Sequence, residues 1–368
     1  MRHTDQLQFD EPSPALRREV KVHASPELCC PICKGDLDRR VDAYRCPTCD
    51  RTYPVVLGIP DFRVFPDPYI SIENDRKKGE FLQANAAHLN FENLVRFYWS
   101  ITPDATPDLA ERFIRKTVLL AEKWSEGIPN VEAQLAEKPR AVLEIGCGTA
   151  GFIAAAAERY EQVVGVDIAF RWLVIARKRL HEAGLDCPLV CACAEYLPFR
   201  DRQFDLVFGE AVLEHVRDQP AALKEASRVS LPGGTFYLVT PNRYSLGTEP
   251  HVGVWGVGFL PRRWMSRYVE LAKGIPYRHL RSVSRFELAR LLRKGGFRRI
   301  QFLIPQPTSP EVARFSRGEM FQLAAYNLVR RLPLGAYLLH LVGPILNVVC
   351  HPENTQPCST KRGAAHAP

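Results

Sequence analysis

From Arg140 onward, short β-rich runs alternate with stretches of helical length, and this alternation restricts the fold more than any other feature of the chain. The runs are AVLEI, VVGVD, LVCA, FDLVFG and FYLVT. Strands separated by helices pair in parallel, because each crossover helix returns the chain to the same end of the sheet. The pattern therefore predicts an α/β domain with a Rossmann-like, doubly wound sheet that is covered by helices on both faces.

A glycine-rich turn follows the first of these strands. In VLEIGCGTAGF, Glu144 ends the strand, and Gly146, Gly148 and Gly151 lie in the turn that opens the next helix. Glycine lets the backbone approach a ligand closely, and the start of a helix offers unpaired N–H groups. About twenty residues later, VVGVD ends in Asp167, where a carboxylate is well placed to accept both hydroxyls of a ribose. The turn therefore predicts a nucleoside-binding site.

The same glycines satisfy GxGxxG, so a nicotinamide or flavin nucleotide is an alternative ligand. The motif is weak evidence when it stands alone. Glu144 lies two residues before the first glycine, and an anionic side chain there suits a cationic ligand better than a pyrophosphate. The acid therefore favours a cationic nucleoside.

Two further blocks follow at regular intervals, AEYLPFRDRQFDLVFGEAVLEHV at 194–216 and SRVSLPGGTFYLVTPN at 227–242. Together with the glycine turn, they resemble the class I S-adenosylmethionine-dependent methyltransferases, particularly the branch that includes ubiquinone and menaquinone biosynthesis methyltransferases. The similarity covers about residues 139–242. It implies a seven-stranded methyltransferase sheet, with S-adenosyl-L-methionine as the cofactor.

The resemblance also implies roles for individual residues. Glu144, Gly146 and Gly148 would surround the methionine end of the cofactor. Asp167 would hold the ribose, and Ile168 would pack against the adenine. Relatives usually carry an aspartate where this chain has Cys193, so Ala194 N–H and Glu195 are the remaining candidates for contact with the ring. The complete predicted set is Glu144, Gly146, Cys147, Gly148, Asp167, Ile168, Cys193, Ala194 and Glu195.

Three residues are candidates for catalysis. Glu210 follows the fourth strand, at the sheet edge that faces the methyl group, and His215 lies just over one helical turn further on. His215 could accept a proton from the acceptor, or it could simply fix its helix by a hydrogen bond. His251 lies in an aromatic- and glycine-rich loop, where we expect it to line the acceptor pocket together with Tyr244 and Trp255.

A second chemical motif precedes the sheet. Cys30 and Cys33 form one CxxC pair and Cys46 and Cys49 form another, with twelve residues between the pairs. Two such pairs bring four thiolates into a tetrahedron, which is typical of structural Zn²⁺. Cys29 is expected to be a bystander. The segment is similar to small zinc-binding domains that activate RNA and protein methyltransferases, and to the N-terminus of ribosomal-RNA guanine methyltransferases. A brace packed against the catalytic domain is the favoured role.

Five segments follow from these motifs. The 368 residues are predicted to divide into a flexible arm (1–26), a zinc ribbon (27–66), a helical cap or linker (67–138), the methyltransferase domain (139–305) and a helical, apolar extension with a tail (306–368). The first twenty residues have no apolar h-region, so we expect a cytoplasmic protein.

The C-terminal third carries two surface candidates. Arginines and lysines at 290, 293, 294, 298 and 299 could form a basic face, and the net charge of +8 permits an anionic partner. The apolar run Leu332–Cys350 is broken by prolines and glycines, so it is not expected to span a membrane. It is expected to pack on a neighbouring helix. Closure over the active site and peripheral membrane contact through 332–350 are the alternatives.

The leading hypothesis is therefore a methyltransferase that acts on a small-molecule or lipid-linked acceptor, with oxygen as the preferred methylated atom. Two alternatives stay open. The ribbon and the positive charge are compatible with an RNA base methyltransferase. The replacement of the usual aspartate by Cys193 is compatible with a cofactor-binding but non-catalytic partner of another methyltransferase.

Overall fold

The N-terminal part of the chain forms a small antiparallel sheet. The computed structural model describes residues 20–102 and 107–353. A first short strand, β1 (Lys21–Val22), pairs in parallel with a strand more than 160 residues later. The four-cysteine ribbon then contains the strands β2 (Asp38–Arg39), β3 (Ala43–Arg45), β4 (Thr52–Val56) and β5 (Ile59–Pro60). Part of the predicted flexible arm is thus fixed by strand pairing, while residues 1–19 lie outside the described residues.

Three helices follow the ribbon, namely α1 (Ile72–Ala86), α2 (Phe91–Ser100) and α3 (Pro107–Glu132). The side chains of Ser71 and Asn90 accept hydrogen bonds from the first turns of α1 and α2, which fixes where these helices begin. The pattern in the sequence predicts that the last helix ends at about Trp124. It continues to Glu132, and Pro129 lies inside it.

The central sheet is built first from alternating strands and helices. In chain order these are β6 (Ala141–Ile145), α4 (Gly151–Ala157), β7 (Gln162–Asp167), α5 (Phe170–Glu182), β8 (Leu185–Asp186), β9 (Leu189–Cys191), β10 (Phe204–Glu210), α6 (Gln219–Val229) and β11 (Ser230–Pro241). The strand β8 is the partner of β1. The remaining strands β6, β7, β9, β10 and β11 are parallel to one another, as the alternation predicts.

The C-terminal part completes this sheet. It contains a 3-10 turn (Val257–Phe259), α7 (Arg262–Lys273), α8 (Arg285–Lys294), β12 (Phe297–Leu303), α9 (Ser309–Val312), α10 (Arg317–Arg331), α11 (Gly335–Val342) and β13 (Ile345–Pro352). The resulting order is β12-β13-β11-β10-β6-β7-β9, with β13 antiparallel to both of its neighbours. The predicted fold class, a Rossmann-like seven-stranded sheet with a small N-terminal four-cysteine unit and added helices, is confirmed.

The structure differs from the sequence interpretation at the C-terminal apolar run. Leu332–Cys350 does not form one packed helical segment. Gly335–Val342 is α11, and the run ends in β13, which begins at Ile345, lies between β11 and β12 and is buried at Leu346 and Val348. The end of the run is therefore inside the sheet. The sheet also extends beyond the predicted boundary at 305, because β13 belongs to it. Residues 354–368 of the predicted tail lie outside the described residues.

Two apolar layers enclose the sheet. One face packs against α1 to α5, through side chains that include Phe152, Phe170 and Leu173. The other face packs against α6, α8 and the ribbon, through side chains that include Phe199, Leu288 and Phe62. Burying both faces explains the near-continuous apolar strands in the sequence. Among the described residues, none of the helices combines the length and apolar character that crossing a bilayer requires.

The four-cysteine ribbon is fixed to the edge of the sheet. Phe62 donates its backbone N–H to the carbonyl oxygen of Cys191 at 2.7 Å, so the end of the ribbon runs along β9. The Phe62 ring packs between those of Tyr44 and Tyr53. On the other side, Lys34 forms an ion pair of 2.6 Å with Glu225 of α6. These contacts agree with the role of a brace.

Candidate functional site

A cavity of about 320 Å³ opens at the carboxyl edge of the parallel strands. Ligands bind in this position in open α/β sheets, because the strand ends and the following loops converge there. Its wall contains predicted site residues from four separate segments of the chain. These are Gly146, Gly148, Asp167, Ile168, Ala194, Glu195 and His215.

The glycine turn forms one wall of the cavity. Gly146 has a φ of +74°, and a Cβ atom there would lie 2.7 Å from the side chain of Val212. Gly148 has a φ of +49°, with open space where its Cβ would be. Gly151 differs, because its Cβ would lie 2.5 Å from Leu120 of α3. The first two glycines therefore shape the turn, while the third lets α3 pack closely.

Asp167 ends β7 and is held by the backbone. One carboxylate oxygen accepts a hydrogen bond from Gly148 N–H and the other from Ala169 N–H, both at 2.8 Å. Burial raises the pKa of Asp167 to about 6, although these two N–H groups oppose the shift. Each oxygen retains a further lone pair. The carboxylate is therefore oriented in the cavity wall and still able to accept hydrogen bonds from a diol.

Glu144 lies on β6 behind the cavity wall rather than in it. The residue is 3% exposed, and its Oε2 atom has no hydrogen-bond partner among the described residues. Burial, then the charges of Glu210 and Asp167, raise the pKa of Glu144 well above its usual range. A buried carboxyl oxygen without a partner is unfavourable, and a cationic hydrogen-bond donor would satisfy it.

The two cysteines of the predicted cofactor set are buried and are not part of the cavity lining. Cys147 packs under the glycine turn against Gly165. Cys193 donates its thiol to the carbonyl oxygen of Phe65 at 3.6 Å, and burial raises its pKa to about 11. Burial also raises the pKa of the Cys147 thiol, so both thiols are protonated near neutral pH. Glu195 accepts Arg217 N–H at 2.7 Å, so one of its oxygens orders the loop before α6.

The predicted catalytic residues occupy different environments. Glu210 is tied to α3, since its two oxygens accept hydrogen bonds from Lys123 Nζ at 2.6 Å and Trp124 Nε1 at 2.8 Å. Burial opposes ionisation of Glu210, but Lys123 outweighs it and lowers the pKa. Glu210 is thus an ionised anchor for α3. His215 lines the cavity directly.

The two histidines of the predicted set lie side by side. Their ring centroids are 4.9 Å apart at 81°. Burial, then the proximity of His251, lower the pKa of His215 to about 4, so the ring is neutral near pH 7. Tyr244 packs on Phe259 at 5.6 Å, and Trp255 is 60% exposed. The structure thus places His251 beside His215, but His251, like Tyr244 and Trp255, is not part of the cavity lining.

Several wall residues were not found from the sequence. The linker after the ribbon contributes Phe65, Asp67 and Tyr69, and Trp172 and Arg217 come from the loops and helices opposite. The guanidinium of Arg217 stacks on the Phe65 ring at 4.1 Å and donates to Pro66 O at 2.7 Å. Phe65, Asp67 and Tyr69 lie in or directly after IPDFRVFPDP, which the sequence marks only as extended and proline-rich. No local signal therefore connects this segment with the cavity.

The four cysteines of the ribbon converge on one point. All four Sγ atoms lie within 4.8 Å of one another, with Cys30 and Cys49 at 3.6 Å and Cys33 and Cys46 at 3.4 Å. A tetrahedron with bonds of about 2.3 Å separates sulfur atoms by about 3.8 Å. The spacing and the thiolate chemistry fit a zinc ion. Cys29 instead donates its thiol to Phe199 O at 3.1 Å, away from the cluster.

Comparisons with known proteins agree with this geometry. A family model described as a methyltransferase domain matches residues 143–238. The ubiquinone biosynthesis O-methyltransferase of Idiomarina loihiensis is 34% identical over 153 residues, which is 41% of this chain and 58% of that relative. The ubiquinone/menaquinone biosynthesis C-methyltransferase of Bordetella avium is 31% identical over 169 residues, 44% of this chain and 65% of that relative.

Among solved structures, an S-adenosylmethionine-dependent methyltransferase from Mesorhizobium loti is similar at 22% identity and a TM-score of 0.40, covering 62% of this chain and 99% of that one. The matched region spans less than two thirds of the two curated relatives. The match is therefore to a domain, and it includes the glycine turn, Asp167 and His215. Residues 143–238 therefore match a methyltransferase domain, and they lie within the seven-stranded sheet.

Proposed function

We propose that this chain transfers a methyl group from S-adenosyl-L-methionine to an oxygen atom of a small-molecule or lipid-linked acceptor. One observation carries the proposal: Asp167, the glycine turn and His215 share a single cavity at the carboxyl edge of the sheet. The cofactor supplies a methyl group on a positively charged sulfonium. The chain has to hold that group in line with a nucleophile and exclude water.

The residues present fit this cofactor. Asp167 would accept the two ribose hydroxyls through its free lone pairs, and Ile168 and Ala194 would contact the adenine. The unsatisfied oxygen of Glu144 would interact with the amino group of the methionine end. The linker residues Phe65 and Tyr69 would close the outer wall. Each assignment rests on placement in or directly behind the cavity wall.

The acceptor side is the part of the cavity near His215 and Val212. Because the pKa of His215 is about 4, transfer of a proton to its ring from a hydroxyl is unfavourable, and positioning is its simpler role. In-line transfer from a sulfonium depends chiefly on approach geometry. We therefore assign most of the acceleration to placement and desolvation of the acceptor.

An apolar or lipid-linked acceptor is supported by two observations. Some of the relatives are named for ubiquinone biosynthesis. In addition, α10 and the region around α11 expose many large apolar side chains, which are Met320, Phe321, Leu328, Leu332, Leu334, Tyr337 and Leu338. Such a surface suits the tail of an acceptor or the surface that carries it. Contact of these helices with a membrane surface belongs to the same proposal.

The ribbon is proposed to hold a structural Zn²⁺ through Cys30, Cys33, Cys46 and Cys49. The ion would stabilise a sheet of short strands that has little core of its own. The contacts of Phe62 with β9 and of Lys34 with α6 support the role of a brace. They connect the metal site to the elements that border the cavity.

The test is methyl transfer from radiolabelled cofactor, with lipid, polar-metabolite and RNA extracts supplied separately. We expect label in a lipid or small-molecule pool, and volatile methyl iodide on treatment with hydriodic acid, which cleaves methyl ethers but not C-methyl groups. The variant Asp167→Asn should lose most of the label. Label in RNA alone would favour the RNA base methyltransferase, and no label in any pool despite cofactor binding would favour the non-catalytic partner.

A further inference from the structure

Three potential metal ligands converge beside the cavity from two distant parts of the chain. Glu214 and His215 follow β10, and His251 comes from the loop after β11. One ligand atom from each lies within 4.8 Å of the other two. We propose that these three side chains form a binding site for a divalent first-row transition-metal ion, separate from the cysteine cluster. The site does not depend on the proposed function, because ion binding can be measured without methyl transfer.

Glu214 provides the first argument. Its side chain is 0% exposed, and Oε2 accepts a hydrogen bond from Thr240 Oγ1 at 3.2 Å. Its other oxygen, Oε1, has no hydrogen-bond partner among the described residues. That oxygen faces the two Nε2 atoms, at 4.0 Å from His215 and 3.8 Å from His251. A buried carboxylate oxygen without a partner is unfavourable, and a cation between it and the two rings would satisfy it.

The orientation of His251 provides the second argument. Its Nδ1 atom lies 2.7 Å from Oε1 of Glu249. The other oxygen of Glu249 is itself fixed by the backbone N–H groups of His251 and Val252 at 2.8 and 2.9 Å. Nδ1 therefore carries the proton, and Nε2 presents its lone pair toward Glu214. A carboxylate that orients a histidine in this way typically accompanies a metal-binding imidazole.

Charge and donor type indicate which ion fits. Two imidazole nitrogens and one carboxylate oxygen suit Zn²⁺, Fe²⁺ or Mn²⁺, whereas Mg²⁺ and Ca²⁺ prefer oxygen ligands. The negative charges near the cluster are the carboxylates of Glu214 and Glu249, and the opposing positive charge is the ammonium group of Lys116. Ligand atoms around such an ion lie about 3.0–3.4 Å apart. Two ligand atoms that are 4.8 Å apart would therefore have to approach each other by at most about 1.8 Å, shared between two side chains.

The position of the site gives the ion a use. His215 is also part of the cavity wall, so coordination positions not filled by protein would open toward the acceptor side. Three protein ligands with open positions are typical of ions that bind a substrate oxygen. We therefore expect the bound ion to coordinate a methyl acceptor that carries one hydroxyl group or two neighbouring hydroxyl groups.

The experiment is a titration of the full, zinc-loaded chain with Mn²⁺, in which electron paramagnetic resonance measures the free ion. Mn²⁺ does not displace Zn²⁺ from a site of four thiolates. Its binding therefore reports on the proposed second site. We expect saturable binding of one Mn²⁺ per chain, weakened at least tenfold by Glu214→Gln and by His251→Ala. The matched control His181→Ala, an exposed histidine on α5, should bind Mn²⁺ like the unmodified chain.

Folding is checked in the same variants by their affinity for S-adenosylhomocysteine, which should change less than threefold. Wild-type chain without saturable Mn²⁺ binding, or binding that survives both substitutions, would overturn the proposal and leave the cluster as a hydrogen-bonded histidine pair. A chain that binds Mn²⁺ here yet labels no acceptor would retain the metal site and lose the proposed function. The two failures are therefore distinguishable.

Discussion

The carboxylate of Asp167 accepts a hydrogen bond of 2.8 Å from the backbone N–H of Gly148, which joins the end of β7 to the turn that follows β6. Two neighbouring strand ends are thereby held in one orientation at the wall of the cavity. The same carboxylate accepts Ala169 N–H, so its position is fixed before a ligand arrives. Preorganisation of this kind reduces the entropy lost on binding.

Cofactor affinity should depend on pH through Asp167. The pKa of this carboxyl is about 6 in the free chain, so below pH 6 the group is protonated and has to release that proton to accept both ribose hydroxyls. Affinity is therefore full above pH 7 and falls as the pH drops through 6. The dissociation constant of S-adenosylhomocysteine, measured by calorimetry, should be about tenfold higher at pH 5 than at pH 7.

Two asparagine variants test the assignment of this pH dependence. Asp167→Asn should bind more weakly and lose the slope between pH 5 and 6, whereas Asp186→Asn, on the exposed end of β8, should keep it. A slope that persists unchanged in Asp167→Asn would assign the titration to another group.

The steric role of Gly146 can be separated from backbone strain. Gly146 and Gly184 have φ angles of +74° and +72°, but a Cβ at Gly146 would lie 2.7 Å from Val212, and at Gly184 nothing lies within 4 Å. Both alanine variants should lose about 1 kcal/mol of unfolding free energy through the left-handed backbone. Only Gly146→Ala should lose more than this, together with at least tenfold in cofactor affinity. Equal losses in the two variants would contradict the role of Val212.

The sequence predicts the parallel core well because its signals are local. The glycine turn, Asp167 and the CxxC pairs each lie within one short segment, and the strands β6, β7, β9, β10 and β11 show as apolar runs. The strand β13 is not identifiable in this way, because it becomes part of the sheet only by pairing with β11 and β12, which are distant in the sequence. An apolar run after a helix is equally compatible with a packed helix.

The outer wall of the site is also a long-range feature. Phe65 and Tyr69 line the cavity from the segment that follows the pairing of Phe62 with β9. Glu249 lies beside His251 in a loop whose path the sequence does not specify. The predicted cofactor set included Cys147 and Cys193 because they occupy motif positions. In the structure both are buried away from the cavity lining, and their contact with the cofactor stays a prediction.

A buried ion cluster joins the helical cap to the cofactor side. Asp75 of α1 is 0% exposed and accepts hydrogen bonds from Arg63 Nη1 at 2.7 Å, Arg171 Nη1 at 2.8 Å and Phe170 N–H at 2.8 Å. Arg63 also pairs with Asp61 and Arg171 with Asp67, so removing Asp75 takes one of two carboxylates from each guanidinium. It also leaves three buried N–H donors without their acceptor, which is costly. Asp75→Ala should therefore lower the free energy of unfolding by about 3–5 kcal/mol.

Urea denaturation measures this loss. Glu80→Ala, an exposed acid on the same helix, is the matched control and should change the unfolding free energy by less than about 0.5 kcal/mol. A loss below about 1 kcal/mol in Asp75→Ala would mean that the arginines find other partners, and that the cluster is not what attaches the cap.

Removal of zinc should destabilise more than the ribbon. Because Phe62 packs inside the ribbon and pairs with β9, a strong chelator should lower the thermal midpoint of the whole chain by at least about 5 °C. The double variant Cys33→Ser, Cys46→Ser should show the same decrease in thermal midpoint without a chelator. The control is Cys187→Ala, which changes a buried cysteine outside the cluster and should retain zinc. Cobalt substitution should give the thiolate-to-metal charge-transfer band in the wild-type chain and not in the double variant.

The most direct measurement is calorimetric titration of the purified chain with S-adenosylhomocysteine and, separately, with NADH. We predict one molecule of S-adenosylhomocysteine bound per chain, at least tenfold weaker binding in Asp167→Asn, and no heat of binding with NADH. Preferential binding of NADH, or failure to bind the sulfonium-derived nucleoside at all, would contradict the assignment of the cavity.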